Sequence, residues 1–157
     1  CIRKGMEYQT ICDHIARYTE KTGLVFMLES LKNFAANGRV SPTVAKIAGV
    51  LGIRVVGIAS QVGTLEPLHK CRGEKKAIET MFSEMQGRGY AGGRVKIAHC
   101  FNENAAEALK SMILEQYPQA NVTLEVCGAL CSFYAEVGGL MIGFEGGYNA
   151  ENDGEKF

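Results

Sequence analysis

The chain has 157 residues, of which 46% are hydrophobic and 22% are charged, and its 17 basic residues balance its 17 acidic ones. This length and composition predict one globular domain with its own core. A net charge of zero argues against nucleic acid or an anionic membrane as partner, because both require a basic surface. No apolar run approaches the roughly 18 residues of a membrane span, and no signal-peptide hydrophobic region opens the chain.

In chain order, apolar residues recur at intervals of three and four from Tyr8 to Tyr18, which predicts a helix that stops near Gly23. The continuous apolar run at residues 24–28 predicts a buried strand. Residues 29–37 predict a short helix that Gly38 ends, and Ser41-Pro42 predicts the start of a helix running to about Gly52.

Residues 53–60 and 64–71 predict a hairpin across residues 61–63, in which Pro67 confines the second strand to an edge or a bulge. An amphipathic helix is predicted after Gly73, with one apolar side formed by Ala77, Ile78, Met81, Phe82 and Met85. Next, alternation predicts a strand at residues 94–100. Asn102 is then the predicted N-cap of a second amphipathic helix, which runs through Ile113. Residues 122–126 and 138–144 predict further strands; the stretch 132–147 is interpreted as a strand followed by a turn.

These elements predict an α/β fold, a mixed β-sheet with helices packed on it. The domain is predicted to span residues 1–148, followed by a polar, mobile tail at 149–157. Because the chain begins at Cys1 within what looks like running sequence, it is predicted to be a fragment.

Local motifs do not predict an enzyme. Six cysteines without Cys-x-x-Cys spacing favour reduced thiols in the cytoplasm and neither a metal site nor a cofactor. The Gly-x-Gly-x-x-Gly match at residues 87–92 follows a predicted helix and leads into a strand, the reverse of a dinucleotide loop. His99 shares a strand face with Val95 and Ile97, which favours a satisfied core histidine over a catalytic base.

Several stretches, in register over residues 6–147, carry a family resemblance. They are "FMLESLKNFAANGRVSPTVAKIAGVLGIRVV", "HKCRGEKKAI", "VKIAHCFNENAAEALK" and "GGLMIGFEG". The chain resembles the C-terminal lobe of the DegV family. The resemblance implies a fatty-acid-binding protein of two α/β lobes, of which the N-terminal one is missing here. The acyl chain would lie in a tunnel and its carboxylate where the lobes meet. Some members present the fatty acid to a separate ATP-dependent kinase subunit.

One motif departs from the family. Where its members carry His-x-Gly-Pro-Gly before the last strand, alignment of Gly138 with the last glycine puts Tyr134 at the histidine and Glu136 at the first glycine. Tyrosine still donates a hydrogen bond to a carboxylate, but Glu136 brings a negative charge toward an anion. Either Glu136 points away, or the ligand head differs.

The resemblance therefore leaves two hypotheses. In the first, a lipid-binding lobe uses Arg39, Arg72, Ser132 and Tyr134 at the ligand head or kinase-facing surface. Its predicted tunnel wall consists of Phe26, Val56, Ile97 and Phe144. For each wall residue, ordinary core packing is the competing interpretation. For Arg39 it is a surface arginine that bonds helix-end carbonyls, and for Arg72 it is a solvated charged corner. In the second hypothesis, the lobe no longer binds fatty acid and serves as an interaction or regulatory module. Alone, the lobe is expected to fold, to bind long-chain fatty acid poorly and to self-associate.

Overall fold

The computed structural model describes residues 1–40, 52–60 and 64–146. Most of the helix predicted from Ser41 to about Gly52, the hairpin connection at 61–63 and the tail at 149–157 lie outside these residues. A short 3-10 helix, Ile2–Lys4, precedes eleven further elements among the described residues. In chain order these are α1 (Tyr8–Glu20), β1 (Thr22–Leu28), α2 (Lys32–Ala36), β2 (Ile53–Ala59), β3 (Leu65–Arg72), α3 (Glu74–Gly87), β4 (Tyr90–His99), α4 (Glu103–Gln116), β5 (Asn121–Val126), α5 (Ala129–Ala135) and β6 (Leu140–Gly146).

The six strands form one mixed sheet in the order β3-β2-β1-β6-β4-β5. All neighbours are antiparallel except β4 and β5, which are parallel and joined through α4. The predicted α/β class and the mixed sheet are confirmed. The hairpin of β2 and β3 is also confirmed, and Pro67 lies on the edge strand directly after a register shift at Val56/Gly57.

One face of the sheet, hereafter the closed face, packs against α3 and α4. The apolar side predicted for α3 is buried as expected, as are Ala105, Ala106, Leu109 and Ile113 of α4. They meet strand residues that include Val25, Met27, Val56, Ile97, Leu140 and Ile142, each of which is fully buried. This layer is the main hydrophobic core, because leucine-sized side chains removed from water stabilise a fold by about 1.5–3 kcal/mol each.

The first helix is confirmed, but its apolar residues are not part of the core. None of the residues of α1 is buried, and Tyr8 and Ile15 are exposed. At its C-terminal end α1 is attached to the sheet by a hydrogen bond of 2.8 Å from the Tyr18 hydroxyl to Glu145 Oε1 on β6. The amphipathic side of α1 is therefore only partly covered by the described residues, because Ile11 and Cys12 are half-buried and Ile15 is exposed.

The interpretation of residues 132–147 as a strand and a turn is wrong in its first part. Residues 129–135 form helix α5, and β6 begins at Leu140. Helix α5 starts after Gly128, whose carbonyl accepts a hydrogen bond of 2.8 Å from the Ser132 amide. The sequence signal for this helix was Ala129, Leu130 and Ala135, three strong helix formers within seven residues. Ser132 and Tyr134 consequently lie on a helix.

Candidate functional site

The second face of the sheet, hereafter the open face, is apolar and only partly covered. Strand register places Phe26 of β1 between Gly57 of β2 and Met141 of β6, and Met141 next to Ala98 of β4. One row further along, Leu24 lies next to Gly143. On the other side of Gly143 in that row is Lys96 of β4. Its Nζ forms an ion pair with Glu125 Oε1 on β5, at 2.7 Å. The open face is thus an apolar strip with a charged rim.

Helices α2 and α5 cover one end of the open face. There, Leu28, Leu31, Val55 and Ala135 are buried together with Phe26, and Phe34 packs against them. Toward the other end the cover stops, since Leu24 is 38% exposed and a side chain added at Gly143 would meet no atom within 4 Å. The described residues therefore leave an apolar surface open that can accept a long apolar molecule.

The predicted wall residues do not form one wall. Phe26 lies on the open face, whereas Val56, Ile97 and Phe144 lie in the core of the closed face. Strand register explains the separation, because Phe26 is opposite Gly57 and its neighbour Met27 is opposite Val56. Successive strand residues point to opposite faces, so a shift by one position moves a side chain to the other side of the sheet. The grouping of all four residues is therefore wrong.

Four predicted site residues lie at the same end of the sheet, hereafter the head end, where β1, β3 and β4 finish and β2 and β6 begin. Arg39 is exposed in the turn after α2, and its amide donates to the Phe34 carbonyl at 2.8 Å. Arg72 is exposed at the end of β3. Ser132 and Tyr134 are half-buried on α5. Except for the four wall residues, the predicted site is thus gathered at the head end.

Tyr134 and Ser132 have different surroundings. The Tyr134 ring stacks on Phe34 of α2, with 4.7 Å between ring centroids, and contacts Phe133 edge to face. The Ser132 hydroxyl donates to the Cys127 carbonyl at 3.0 Å, so it holds the start of α5. Burial raises the pKa of the Cys127 thiol, with smaller contributions from the neighbouring Cys100 and Cys131. That thiol is therefore neutral at pH 7 and unsuited to nucleophilic attack.

Glu136 has an unusual backbone at the end of α5. Its φ of 54° and ψ of 174° lie in a region that almost only glycine adopts, and a non-glycine residue there costs about 1–3 kcal/mol. Its carboxylate accepts a hydrogen bond of 3.2 Å from the Asn33 amide in the first turn of α2. The Glu136 carboxylate is therefore directed to α2.

A polar network that sequence reasoning missed lies behind the 136–139 loop. Arg54 Nη1 is 3.0 Å from Glu29 Oε1, and Nη2 is 4.0 Å from Glu74 Oε2. Asn102 Nδ2 donates both to Glu74, at 2.8 Å, and to the Gly138 carbonyl, at 3.0 Å. Asn102 stands at the predicted N-cap of α4, but its side chain does not cap the helix. Long sequence separations hid this network, because no local pattern joins residues from β2, α3 and three connecting segments.

The network restricts Gly138. Its φ of 93° is strained for any other residue, and a Cβ atom there would lie 2.9 Å from Glu29 Oε2. The arrangement serves to hold a loop rather than to perform acid–base chemistry. His99 is likewise structural, as predicted: it is 8% exposed, and its Nδ1 accepts the Asn102 amide at 3.3 Å. Among residues 1–40, 52–60 and 64–146 no group of three or more His, Cys, Asp or Glu could hold a metal ion.

A depression of about 430 Å³ lies at the opposite end of the sheet from the head end. Leu24 and Ala59 line it together with the charged Glu20, Lys21 and Arg88. None of the eight predicted site residues is in this lining. We therefore place the candidate site on the open face and the head end, and treat the depression as the polar margin of that face.

Known proteins with similar sequences and folds identify the family of this chain. A family model described as "Uncharacterised protein, DegV family" matches residues 1–145. The chain belongs to the DegV family. A DegV domain-containing protein of Streptococcus pneumoniae is 42% identical over 144 residues, and one of Streptococcus pyogenes is 44% identical over the same length. The match covers 92% of the chain and 51% of each relative, so the chain spans about half the length of these DegV proteins.

Two solved DegV structures are similar in sequence and fold. One is a DegV family protein of Eubacterium eligens loaded with heptadecanoic acid, with 43% identity and a TM-score of 0.88. The other is the Fatty Acid Kinase B3 protein of S. pneumoniae loaded with linoleic acid, with 42% identity and a TM-score of 0.89. The match covers 92% of this chain in both cases, with 52% of the first chain and 51% of the second. The predicted family and the lobe-like extent of the fold are thereby confirmed.

Proposed function

We propose that the chain forms one half of a fatty-acid-binding DegV protein and that the acyl chain lies along the open face. The observation that carries this proposal is the apolar strip of Leu24, Phe26, Met141 and Gly143, which is open at Leu24 and Gly143. It lies in a chain similar to proteins loaded with C17 and polyunsaturated fatty acids. Each methylene group removed from water contributes about 0.8 kcal/mol. A long acyl chain therefore supplies enough free energy to bind without a strongly basic head site.

The head end would receive the carboxylate. Tyr134 is held by its stack on Phe34 and offers a phenolic hydroxyl as donor. The carboxylate of Glu136 is engaged by the Asn33 amide, which lowers its repulsion toward a bound anion. In this proposal Phe26 keeps the wall role predicted for it, Met141, Leu24 and Gly143 join it, and Ser132 supports α5.

The finer role is that of a carrier that presents fatty acid to a separate ATP-dependent kinase subunit and has no catalytic residues of its own. The similarity to a Fatty Acid Kinase B3 protein and the two exposed arginines of the head end, Arg39 and Arg72, support this role. Three expectations stay predictions. They are a cytoplasmic location, an N-terminal lobe that is not part of this chain, and self-association of the chain alone. No helix of the described ranges is long and apolar enough to cross a bilayer.

The test is titration of oleate and palmitate into the delipidated full-length protein, with Gly143→Leu as the variant and Gly87→Leu as its control. Both glycines have open space around them, but Gly87 ends α3 away from the open face. Gly143→Leu should weaken binding at least about tenfold, and Gly87→Leu should leave it unchanged. Equal affinity of all three proteins, or no binding to wild type, would contradict the proposal.

A second measurement addresses the carrier role. With the kinase subunit of the same organism, Arg39→Ala and Arg72→Ala should slow acyl phosphate formation while oleate affinity stays at the wild-type value. The second candidate function, an interaction module without lipid, is favoured by Tyr134 and Glu136 in place of the family's histidine and glycine. Wild-type protein that is purified without lipid and binds none would establish that alternative.

A further inference from the structure

Glu136 combines a strained backbone with a hydrogen bond to another element. A residue in the conformation of Glu136 is destabilised relative to glycine. Backbone strain of this kind persists only where surrounding contacts hold the residue in place. Here the carboxylate reaches across to α2 and accepts the Asn33 amide.

Helix α2 depends on this contact at its N-terminal end. It has five residues, and Leu31 at its N-cap provides no side-chain acceptor. The first amides of a helix have no partner within the helix, and an acidic group close to them is stabilising. The Ser30 hydroxyl accepts the Lys32 amide at 3.2 Å, and Glu136 accepts the next one. Thus α5 supplies a cap that α2 itself lacks.

Two further contacts join the same helices. Asn33 Nδ2 donates to the Phe133 carbonyl at 2.7 Å, and the rings of Phe34 and Tyr134 stack. We name the three contacts together the α2–α5 clasp. Its consequence lies at the other end of α2, where the Arg39 amide donates to the Phe34 carbonyl. Arg39 is thus joined by one hydrogen bond to the residue that stacks on Tyr134.

We propose that Glu136 is a positioning residue: through the α2–α5 clasp it fixes α2 against α5 and thereby sets the position of the Arg39 turn. The clasp consists of contacts between protein atoms alone. Its value for presenting a fatty acid head rests on the proposed function. This chain would then use a carboxylate at the head end to orient an arginine, rather than to contact the ligand.

The experiment uses the full-length protein with Glu136→Gly, Glu136→Gln and the control Glu115→Gln, an exposed position of α4. Hydrogen exchange followed by mass spectrometry reports on peptides covering residues 32–40, without fatty acid. Glu136→Gly relieves the backbone strain and removes the acceptor. Its peptides should exchange about tenfold faster, a change in local opening of about 1.4 kcal/mol, while Tm stays equal or rises. Glu136→Gln retains an acceptor and should stay within about threefold of wild type.

The opposite combination overturns the proposal. If residues 32–40 of Glu136→Gly exchange as in wild type, or exchange faster only together with a lower Tm, Glu136 does not position α2. A separate oleate titration distinguishes this failure from that of the proposed function. Wild type that binds no oleate rejects fatty acid binding and leaves the exchange result valid. Glu136→Gly that exchanges faster yet presents oleate to the kinase as well as wild type rejects the link to Arg39.

Discussion

The two faces of the sheet use the same strands but differ in how their side chains are covered. On the closed face, Ile97 and Leu140 are fully buried beneath α3 and α4. On the open face, Leu24 is 38% exposed and Gly143 has empty space above it. Apolar strand residues therefore have two surroundings in this molecule. One set is buried in the hydrophobic core, and part of the other set is exposed. Substitutions can distinguish the two sets.

The largest difference is expected from matched truncations on the two faces. Ile97→Ala should destabilise the protein by about 2–5 kcal/mol, because it leaves a cavity in a closed layer. Met141→Ala, on the half-buried opposite side of the sheet, should cost less than about 1.5 kcal/mol. Urea denaturation of the delipidated protein measures both values. Equal losses would mean that the open face is as well packed as the closed one.

Glycine substitutions should sharpen the comparison at an intermediate scale. Gly138→Ala places a Cβ atom 2.9 Å from Glu29 Oε2 at a φ of 93°, and we expect a loss of about 1–3 kcal/mol. Gly143→Ala adds the same methyl group on the open face, where nothing lies within 4 Å, and should change stability by less than about 0.5 kcal/mol. Thermal unfolding provides the two values. A larger loss for Gly143→Ala would place unseen packing on the open face.

The smallest effect concerns a side-chain pair between the edge strand β3 and helix α3. His69 Nε2 lies 2.7 Å from Glu84 Oε1. The hydrogen bond from His69 holds the pKa of Glu84 below its ordinary value of 4.5, and Arg88 acts in the same direction. Since the folded pKa is depressed, this contribution is present above pH 4.5 and is lost as pH falls through the folded pKa.

The measurement is the slope of unfolding free energy against pH below 4.5, in wild type, His69→Ala and the control Lys110→Ala. His69→Ala should flatten the slope, and the total free energy lost between pH 4.5 and the lowest pH should differ from wild type by less than about 1 kcal/mol. Lys110 pairs with Glu107 on the exposed side of α4, and its replacement should leave the slope unchanged. If His69→Ala retains the wild-type slope, the pair does not contribute to acid stability.

The closed face could be predicted from sequence because its pattern is local. The helical spacing of Ala77, Ile78, Met81, Phe82 and Met85 identifies one side of α3 without reference to any other element. The strand run at residues 24–28 is apolar at every position, so its pattern does not show which side chains share a face with Val56 or Ile97. Register supplies that information, and register depends on pairing between distant segments.

The head end could be predicted only in part. Family resemblance located Arg39, Arg72 and Tyr134 near the ligand head, and these residues do lie at one end of the sheet. It did not reveal the Arg54 network or helix α5. The network depends on contacts such as Asn102 with Gly138, 36 residues apart, and no periodic pattern encodes such a contact. Helix α5 has a local signal in Ala129, Leu130 and Ala135, which the strand interpretation of residues 132–147 did not use.

The central position of β6 has a consequence for how this sheet assembles during synthesis. Strand β6 pairs with β1 on one side and with β4 on the other. The strands β1–β3 and β4–β5 are therefore two separate ribbons until residues 140–146 have left the ribosome. Thr22 and Glu145 are paired neighbours in the sheet. Along the sequence, they lie near opposite ends of the described chain. Pairings of such long range are slow to form, so until then each ribbon presents an unpaired edge strand to chaperones and to other nascent chains.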